Sequence, residues 1–436
     1  MELPVLVALL ATLQFYANIA TSATEFKCNN PLITDKWREE VLNLHNKLRR
    51  RLSDGKQKGS NGMLPKGGNI NQLNWDCNME MLVDEKIEKC DETTATPPVV
   101  QPDPYGAAKQ MVSIKSSEEC DATSKAKEIL NKWWKDGAAK QDINKQVAAV
   151  DSFTQMAYAK TDGFACSYRR CGGKFFLVCF YNKSPTQGGE LYGAPKNNQA
   201  CDNCEKYPPN TGTEVACEDF LCQYPLTPAK VDFEMCGAGV QCPGDFSDEF
   251  RRTALDMHNY YRRLAATGWA KTGDKYAKTA TKMVELTYDK DLEQAANDHV
   301  TAAVCPSAAK AGPGGENFWS TKKFETPHVE GFKMAIKDWW APFEKSGFGD
   351  GEPTFTDTIE GGDLKYAANI LHDETTKVGC AVKTCNKDGR LVIDCRYDNP
   401  LTTDDTIYTT GKVCSKCKDT ATKSCSKLGG LCVAQP

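Results

Sequence analysis

The sequence predicts an α+β fold laid down twice in tandem, each copy closing in a small cysteine-rich C-terminal extension. Three observations lead there. First, motifs recur at a near-constant spacing: His45-Asn46-x-x-Arg49 returns 213 residues on as His258-Asn259-x-x-Arg262, and the pattern Leu-x-x-Asp-x-x-x-Glu from Leu73 returns at Leu286. Trp133-Trp134 returns as Trp339-Trp340, and Cys166, Cys171 and Cys179 return as Cys380, Cys385 and Cys395. Second, within each copy a helical period gives way to a strand hairpin, so the order reads helix, helix, loop, helix, then strands. Third, both copies end in a Cys-x-x-Cys with two further cysteines, Cys201, Cys204, Cys217 and Cys222 in one and Cys414, Cys417, Cys425 and Cys432 in the other.

At the N-terminus, Val5 to Ile19 is an apolar run too short to span a bilayer, and it ends in the small residues Ala20 to Ala23. Residues 1–23 therefore read as a signal peptide, although Glu2 and the lack of Lys or Arg make its start atypical. The 21 cysteines all lie at or after Cys28, a density that belongs in an oxidising compartment, so the chain is expected to be secreted and extracellular. The first domain then spans 24–222 with its cysteine-rich tail. A linker follows at 223–234, marked by Pro225 and Pro228 and little apolar periodicity, and the second domain spans 235–436 with its own tail.

The first helix of each copy carries one apolar stripe, Trp37, Val41, Leu44 and Leu48 after Thr34-Asp35, and Phe250, Ala254, Met257 and Tyr261 after Ser247-Asp248. His45, Arg49, His258 and Arg262 sit beside that stripe and read as a structural motif. The two histidines are expected to be hydrogen-bonded in the core rather than to act as ligands. The Arg49-Arg50-Arg51 run, at a helix end, reads as serving carbonyls and the helix dipole. Trp133 and Trp339 fall on helical spacings that make them core or cleft wall.

The strands are better determined. Gly172-Gly173 between Cys166-x-Tyr168 and Phe175 to Cys179 signals a two-residue hairpin, and pairing about it sets Cys166 opposite Cys179 within bridging reach. The same arithmetic in the second copy centres a hairpin between Lys387 and Asp388 and sets Cys380 opposite Cys395. Nine matched cysteines per copy leave Cys77, Cys120 and Cys236, an odd total. A Cys77–Cys120 bridge would leave Cys236 or its partner unpaired, and the odd thiol motivates the hypothesis of a disulfide-linked homodimer. Asn182-Lys183-Ser184 is the only glycosylation sequon, with Pro185 directly after it disfavouring occupancy.

Composition narrows function by exclusion. Hydrophobic residues make up 40% and charged residues 26% of 436. A mean hydropathy of -0.53 with no second long apolar run excludes a polytopic membrane protein. A net charge of -4 leaves no basic excess for nucleic acid. No nucleophile elbow, phosphate loop or dinucleotide glycine pattern occurs, and an oxidised, repeat-matched cysteine set suits neither a thiol nucleophile nor a zinc ribbon. The reading is not an enzyme, and it needs no cofactor.

Beyond the repeats, Gly315-Glu316-Asn317-Phe318, Phe153-Thr154-Gln155-Met156, Val178-Cys179-Phe180-Tyr181 and Ile393-Asp394-Cys395-Arg396-Tyr397 join the His-Asn-x-x-Arg and Trp-Trp helices in a specific set. Each copy thereby resembles a CAP domain, the superfamily of cysteine-rich secretory proteins, insect venom allergen 5 and plant pathogenesis-related 1 proteins. The tandem form is similar to the activation-associated secreted, or venom allergen-like, proteins of parasitic nematodes. The resemblance covers nearly all of the mature chain and implies two α-β-α sandwich domains.

It also implies a central cleft in which two His and two Glu can hold a divalent cation, and here those positions are mostly lost. Aligned on the strand cysteines, the cleft His falls at Ser152 and Tyr366. The first Glu is Glu316 in copy two and, counted back from the Trp-Trp pair, Gln110 in copy one. The second Glu is Asp136 and Pro342, and the other His has no counterpart. Copy one owns only His45, so a two-histidine metal site cannot be built there, and His299, His328 and His372 of copy two read as solvated surface residues. The resemblance then implies a secreted, non-enzymatic protein of host–parasite contact and immune modulation that binds host proteins or receptors, with sterol or fatty-acid binding reported across the superfamily. Two alternatives stand beside it, a metal-dependent hydrolase around Glu316 and a structural spacer. The loop from Thr93 to Pro104 is where partner contacts are expected.

Overall fold

The computed structural model describes residues 24–436 apart from 27, 29, 101, 115–120, 144, 210, 230–234, 238, 311–314, 422–423, 427 and 435–436. The signal peptide at 1–23, Cys120 and the end of the 223–234 linker lie outside the described residues.

The first unit runs α1 (Asp35–Ser53), β1 (Asn74–Trp75), α2 (Cys77–Ile87), β2 (Gly106–Ser113), α3 (Ala122–Ala138), α4 (Ser152–Ala157), β3 (Gly163–Cys171) and β4 (Lys174–Tyr181). The second repeats it as α5 (Asp248–Ala266), β5 (Thr287–Tyr288), α6 (Lys290–Val300), β6 (Gly315–Thr321), α7 (His328–Ser346), α8 (Leu364–Leu371), β7 (Lys377–Cys385) and β8 (Arg390–Tyr397). The sheets have the same order, β1-β3-β4-β2 and β5-β7-β8-β6. β1 and β5 add in parallel at one edge, and the remaining pairs are antiparallel.

The repeated motifs explain the repeated elements. Thr34 and Ser247 cap α1 and α5 by accepting from Trp37 N and Phe250 N. In Leu-x-x-Asp-x-x-x-Glu the aspartates Asp76 and Asp289 cap α2 and α6. The glutamates form buried ion pairs back to the first helix, Glu80 Oε1 at 2.6 Å from Arg38 and Glu293 Oε2 at 2.8 Å from Arg251. Trp75 Nε1 donates to Glu80 and Tyr288 Oη to Glu293, which completes the lone-pair partners such a pair needs when taken out of water.

Alternation along β8 shows the layering. Val392 faces Ala296 and Val300 of α6, whereas Leu391, Ile393, Cys395 and Tyr397 join Phe250, Phe332, Trp339 and Ile370 of α5, α7 and α8 on the other side. Each unit is thus a helix, a sheet and a second helical layer, an α-β-α sandwich with its own core.

The sequence order left a loop between the second and third helices, and the structure puts an edge strand there, β2 and β6. Gly106–Ser113, rich in Gly, Ala and Lys, carries little strand signal, and its ladder to β4 comes from tertiary contact. The cysteine pairing also differs from expectation. Cys77 is bonded to Cys28 and Cys236 to Cys242, so neither Cys77–Cys120 pairing nor an unpaired Cys236 survives. As the first residue of α2, Cys77 meets the N-terminal segment, with Cα atoms of Cys28 and Cys77 5.0 Å apart. Cys166–Cys179 and Cys380–Cys395 are cross-strand bridges with Cα separations of 4.0 and 4.1 Å, each joining residues directly opposite in the ladder.

Candidate functional site

His45 and His258 are fully buried in the core. His45 Nδ1 donates to Val41 O at 2.9 Å and its Nε2 accepts from Tyr181 Oη at 3.1 Å, and His258 repeats this with Ala254 O at 2.7 Å and Tyr397 Oη at 2.8 Å. Burial drives both imidazoles down to about 4, so they are neutral. Both ring nitrogens of His45 are spoken for, and it has no nitrogen to offer a metal.

Arg49 and Arg262 do something the sequence reading missed. Their guanidiniums reach away from their own helix end and gather carbonyls from other segments. Arg49 donates to Asn71, Met156, Tyr158, Ala159 and Thr161, and Arg262 to Val284, Ile370, His372 and Thr375. Each arginine pins the first helix to the end of the short helix α4 or α8 and to the turn before the central strand.

The cleft of the second domain lies between α7, α8 and the edge strand β6. Phe318, Trp319, Trp339, Pro342, Lys365 and Tyr366 line a cavity of about 570 Å³. Pro342 stands inside α7, where the Trp339-Trp340 helix passes the cavity. Trp319 Nε1 donates to Asp338 at 2.7 Å and Trp339 Nε1 to Phe318 O at 3.3 Å, so both indoles keep a polar partner while their rings form the wall. Tyr366 accepts through its backbone carbonyl from Asn317 Nδ2 at 3.0 Å, which ties α8 to β6.

On the other face of β6, Glu316 enters a charged cluster. Its Oε1 accepts from Arg396 Nη2 at 2.7 Å and from Lys310 N at 3.1 Å, and lies 3.1 Å from His299 Nδ1. His299, on α6, sits 2.5 Å from Asp394 Oδ2, and Arg396 grips Asp394 with Nε and Nη2, both at 2.8 Å. Burial, with the Asp394 carboxylate beside it, pushes the Glu316 carboxyl up to about 7. The histidines read as solvated are therefore engaged. His372 is 4% exposed and meets Thr375 Oγ1 and Asn399 O, and His328 opens α7 within 3.2 Å of Thr384 Oγ1.

In the first domain the cleft positions are engaged separately. Gln110 Oε1 accepts from Trp133 Nε1 at 2.7 Å, Asp136 pairs with Lys132 on the outer face of α3, and Ser152 opens α4 behind its cap Asp151. The sheet register also moves an equivalence. Gly106 pairs with Tyr181 as Gly315 pairs with Tyr397, so the counterpart of Glu316 is Ala107, and Gln110 matches Trp319. Counting back from the Trp-Trp pair fails because the stretch from the start of the strand to that pair is three residues longer in the first copy. Asn182 lies at the end of β4, where its Nδ2 donates to the Asp162 carboxylate and its Oδ1 accepts from Asp162 N at 3.3 Å.

A four-ligand divalent site of two His and two Glu does not fit these residues. The first domain offers no acid at the Glu316 position, and in the second the nearest donors, His299 and Asp394, share their space with a guanidinium.

Among known proteins, the profile of the cysteine-rich secretory protein family (CAP) matches residues 42–181 and 255–397. The chain is similar to the Ancylostoma secreted protein of Ancylostoma caninum, 32% identical over 454 aligned positions that take in 99% of both chains. It is 28% identical over 193 positions to hookworm platelet inhibitor 1 of the same organism, across 44% of this chain and 82% of that one. The crystal structure of Na-ASP-1 aligns at 26% identity and a TM-score of 0.42, across 94% of this chain and all of the other.

Proposed function

Because the chain belongs to the CAP family, as a member with two tandem domains, we propose that it is a secreted, non-catalytic binding protein acting between parasite and host. In this reading the second domain's cleft takes a small apolar ligand such as a sterol or fatty acid, and outer loops meet host proteins or receptors. The observation that carries it is the cavity of about 570 Å³ beside β6, walled in part by Phe318, Trp319, Trp339 and Tyr366 and edged by Asp338, Asp363 and Lys365. A relative named as a platelet inhibitor supports a search among host cell-surface proteins. The hydrolase alternative centres on Glu316, yet that carboxylate is held by Arg396 and Lys310 N and does not face the cleft water as a free base.

The test is a titration of the full chain with a fluorescent sterol and a fluorescent fatty acid, read as energy transfer from tryptophan. Saturable transfer that Trp319→Ala abolishes and Gln110→Ala leaves intact is expected. A linear, unsaturable signal with both ligands ends the small-ligand half of the reading and moves the search to protein receptors.

The homodimer hypothesis now narrows to one residue. Ten disulfides among the described residues take every cysteine but Cys120, which lies outside them. A dimer through that thiol predicts a doubled band on a non-reducing gel that Cys120→Ser removes, and monomer alone would exclude it.

A further inference from the structure

The two copies form an internal control for the cluster beneath α6. Phe164 pairs with Tyr181 as Val378 pairs with Tyr397, so Asp394 and Arg396 stand where the first domain has Val178 and Phe180, and Glu316 stands where it has Ala107. Counting from the caps Asp76 and Asp289, His299 occupies the place of Lys86. Val178 and Phe180 are fully buried, and their exchange for an acid and a base puts charge into the same interior. Any one of these charges alone would cost several kcal/mol, so the set is tolerable only as a set.

The geometry of the set is specific. Arg396 Nη2 is 2.7 Å from Glu316 Oε1, 2.8 Å from Asp394 Oδ2 and 3.4 Å from His299 Nδ1. Those three atoms all lie within 4.8 Å of one another, an imidazole and two carboxylates converging as they would on a transition-metal ion. One guanidinium nitrogen stands at the point to which they converge.

We infer that Arg396 is the resident cation of this domain: its guanidinium fills the position of a divalent ion among His299, Glu316 and Asp394, and removing it turns those three side chains into a metal site. A guanidinium does not deprotonate in a protein, so an incoming ion cannot neutralise it and must displace it from a fork held on Asp394 by two hydrogen bonds of 2.8 Å. The first domain solves the same position with apolar packing. The inference stands on this cluster alone and is independent of whether the neighbouring cavity binds a lipid.

The experiment is zinc titration of the full disulfide-bonded chain, followed by native mass spectrometry and by thermal unfolding, in the wild type, Arg396→Met and Arg396→Met/His299→Ala. Arg396→Met is expected to take up one zinc ion about 100-fold or more tighter than the wild type, the scale of removing a unit charge from contact with the site. Adding His299→Ala is expected to abolish the gain. Zinc is also expected to raise the melting temperature of Arg396→Met and leave the wild type unmoved, which keeps the test readable if the variant is unstable without metal. Zinc binding by Arg396→Met no tighter than wild type overturns the inference. So does a wild type that binds one zinc ion in a manner lost with His299→Ala.

Discussion

Arg262 is worth more to this protein than its place in a motif suggests. Among the described residues no carboxylate touches its buried guanidinium, and four backbone carbonyls hold it instead, at a desolvation cost that pulls its pKa down to about 10 against the pull of Asp373 and Asp398. Arg262→Met strands those carbonyls and is expected to cost on the order of 3 kcal/mol, or roughly 10 °C for a unit of this size. Differential scanning calorimetry checks it, and a shift under 2 °C would be too small for the role. His258, with His45 in the first domain, makes the acid side of the pH dependence. Its folded pKa, driven by burial to about 4, lies below the ordinary 6.5, so its stabilisation is present above pH 6.5 and is lost as pH falls toward 4. The gap corresponds to about 3 kcal/mol for such a fully buried ring. Glu316 has the opposite sign, its raised carboxyl favouring the fold at low pH and losing that contribution as pH climbs from 4.5 to about 7. Urea midpoints at pH 7.5 and 4.5 read their net effect, and a single variant separates them. His258→Gln should flatten the acid loss relative to wild type, and an unchanged slope would count against a neutral buried ring.

Elements pack differently in the two copies where one residue differs. Gly379 of β7 runs so close to α6 that an added Cβ would lie 2.2 Å from Glu293 N and 2.6 Å from Asp289 O, and backbone atoms have little freedom to yield. The first domain has Ala165 at this place, so its strand and helix α2 are spaced to admit a methyl group. Gly379→Ala is expected to cost about 1 to 3 kcal/mol by pushing α6 outward. It should also loosen the contact between His299 and Asp394, since His299 rides on α6 and Asp394 on β8, the strand paired with β7 in the same sheet. Urea denaturation checks the first effect, and a downfield-shifted imidazole proton in the spectrum of wild type but not variant checks the second.

At the scale of the molecule, each half has its own core and five disulfides, and among the described residues no disulfide joins the halves. Where they meet, a cavity of about 200 Å³ is edged by Asp84, Glu88 and Arg169 from one half and Arg252, Asp256 and Arg263 from the other. Burial there pushes the Asp256 carboxyl up to about 6, with Arg252 drawing it back. A contact that mixes these ions with Leu32, Leu255 and Leu428 resembles a separable domain interface more than a shared core. Residues 24–229, which keep Ala229 in the first core, and residues 235–436 are therefore expected to fold alone, with circular dichroism spectra that sum to that of the whole chain. Aggregation of either half with its disulfides formed would show that the seam is essential.

Periodicity, caps and hairpin arithmetic are local, and they were legible in the sequence. The first helices with their buried stripes, and the pairing of Cys166 with Cys179 and Cys380 with Cys395, depend on residues within one helix or one hairpin of each other, and the tandem repeat needs only the string compared with itself. The rest had to wait for the fold. The strand β2 has no strong pattern of its own and exists because β4 offers it a ladder. The equivalence of Glu316 with Ala107 is set by hydrogen-bond register, to which loop length is blind. Arg49 and Arg262 find carbonyls more than 100 residues away, and Arg396 meets Glu316 across 80 residues of chain. In the sequence Asp394 and Arg396 are two charges near a strand end, and only the sheet, by closing them over His299, makes them one site.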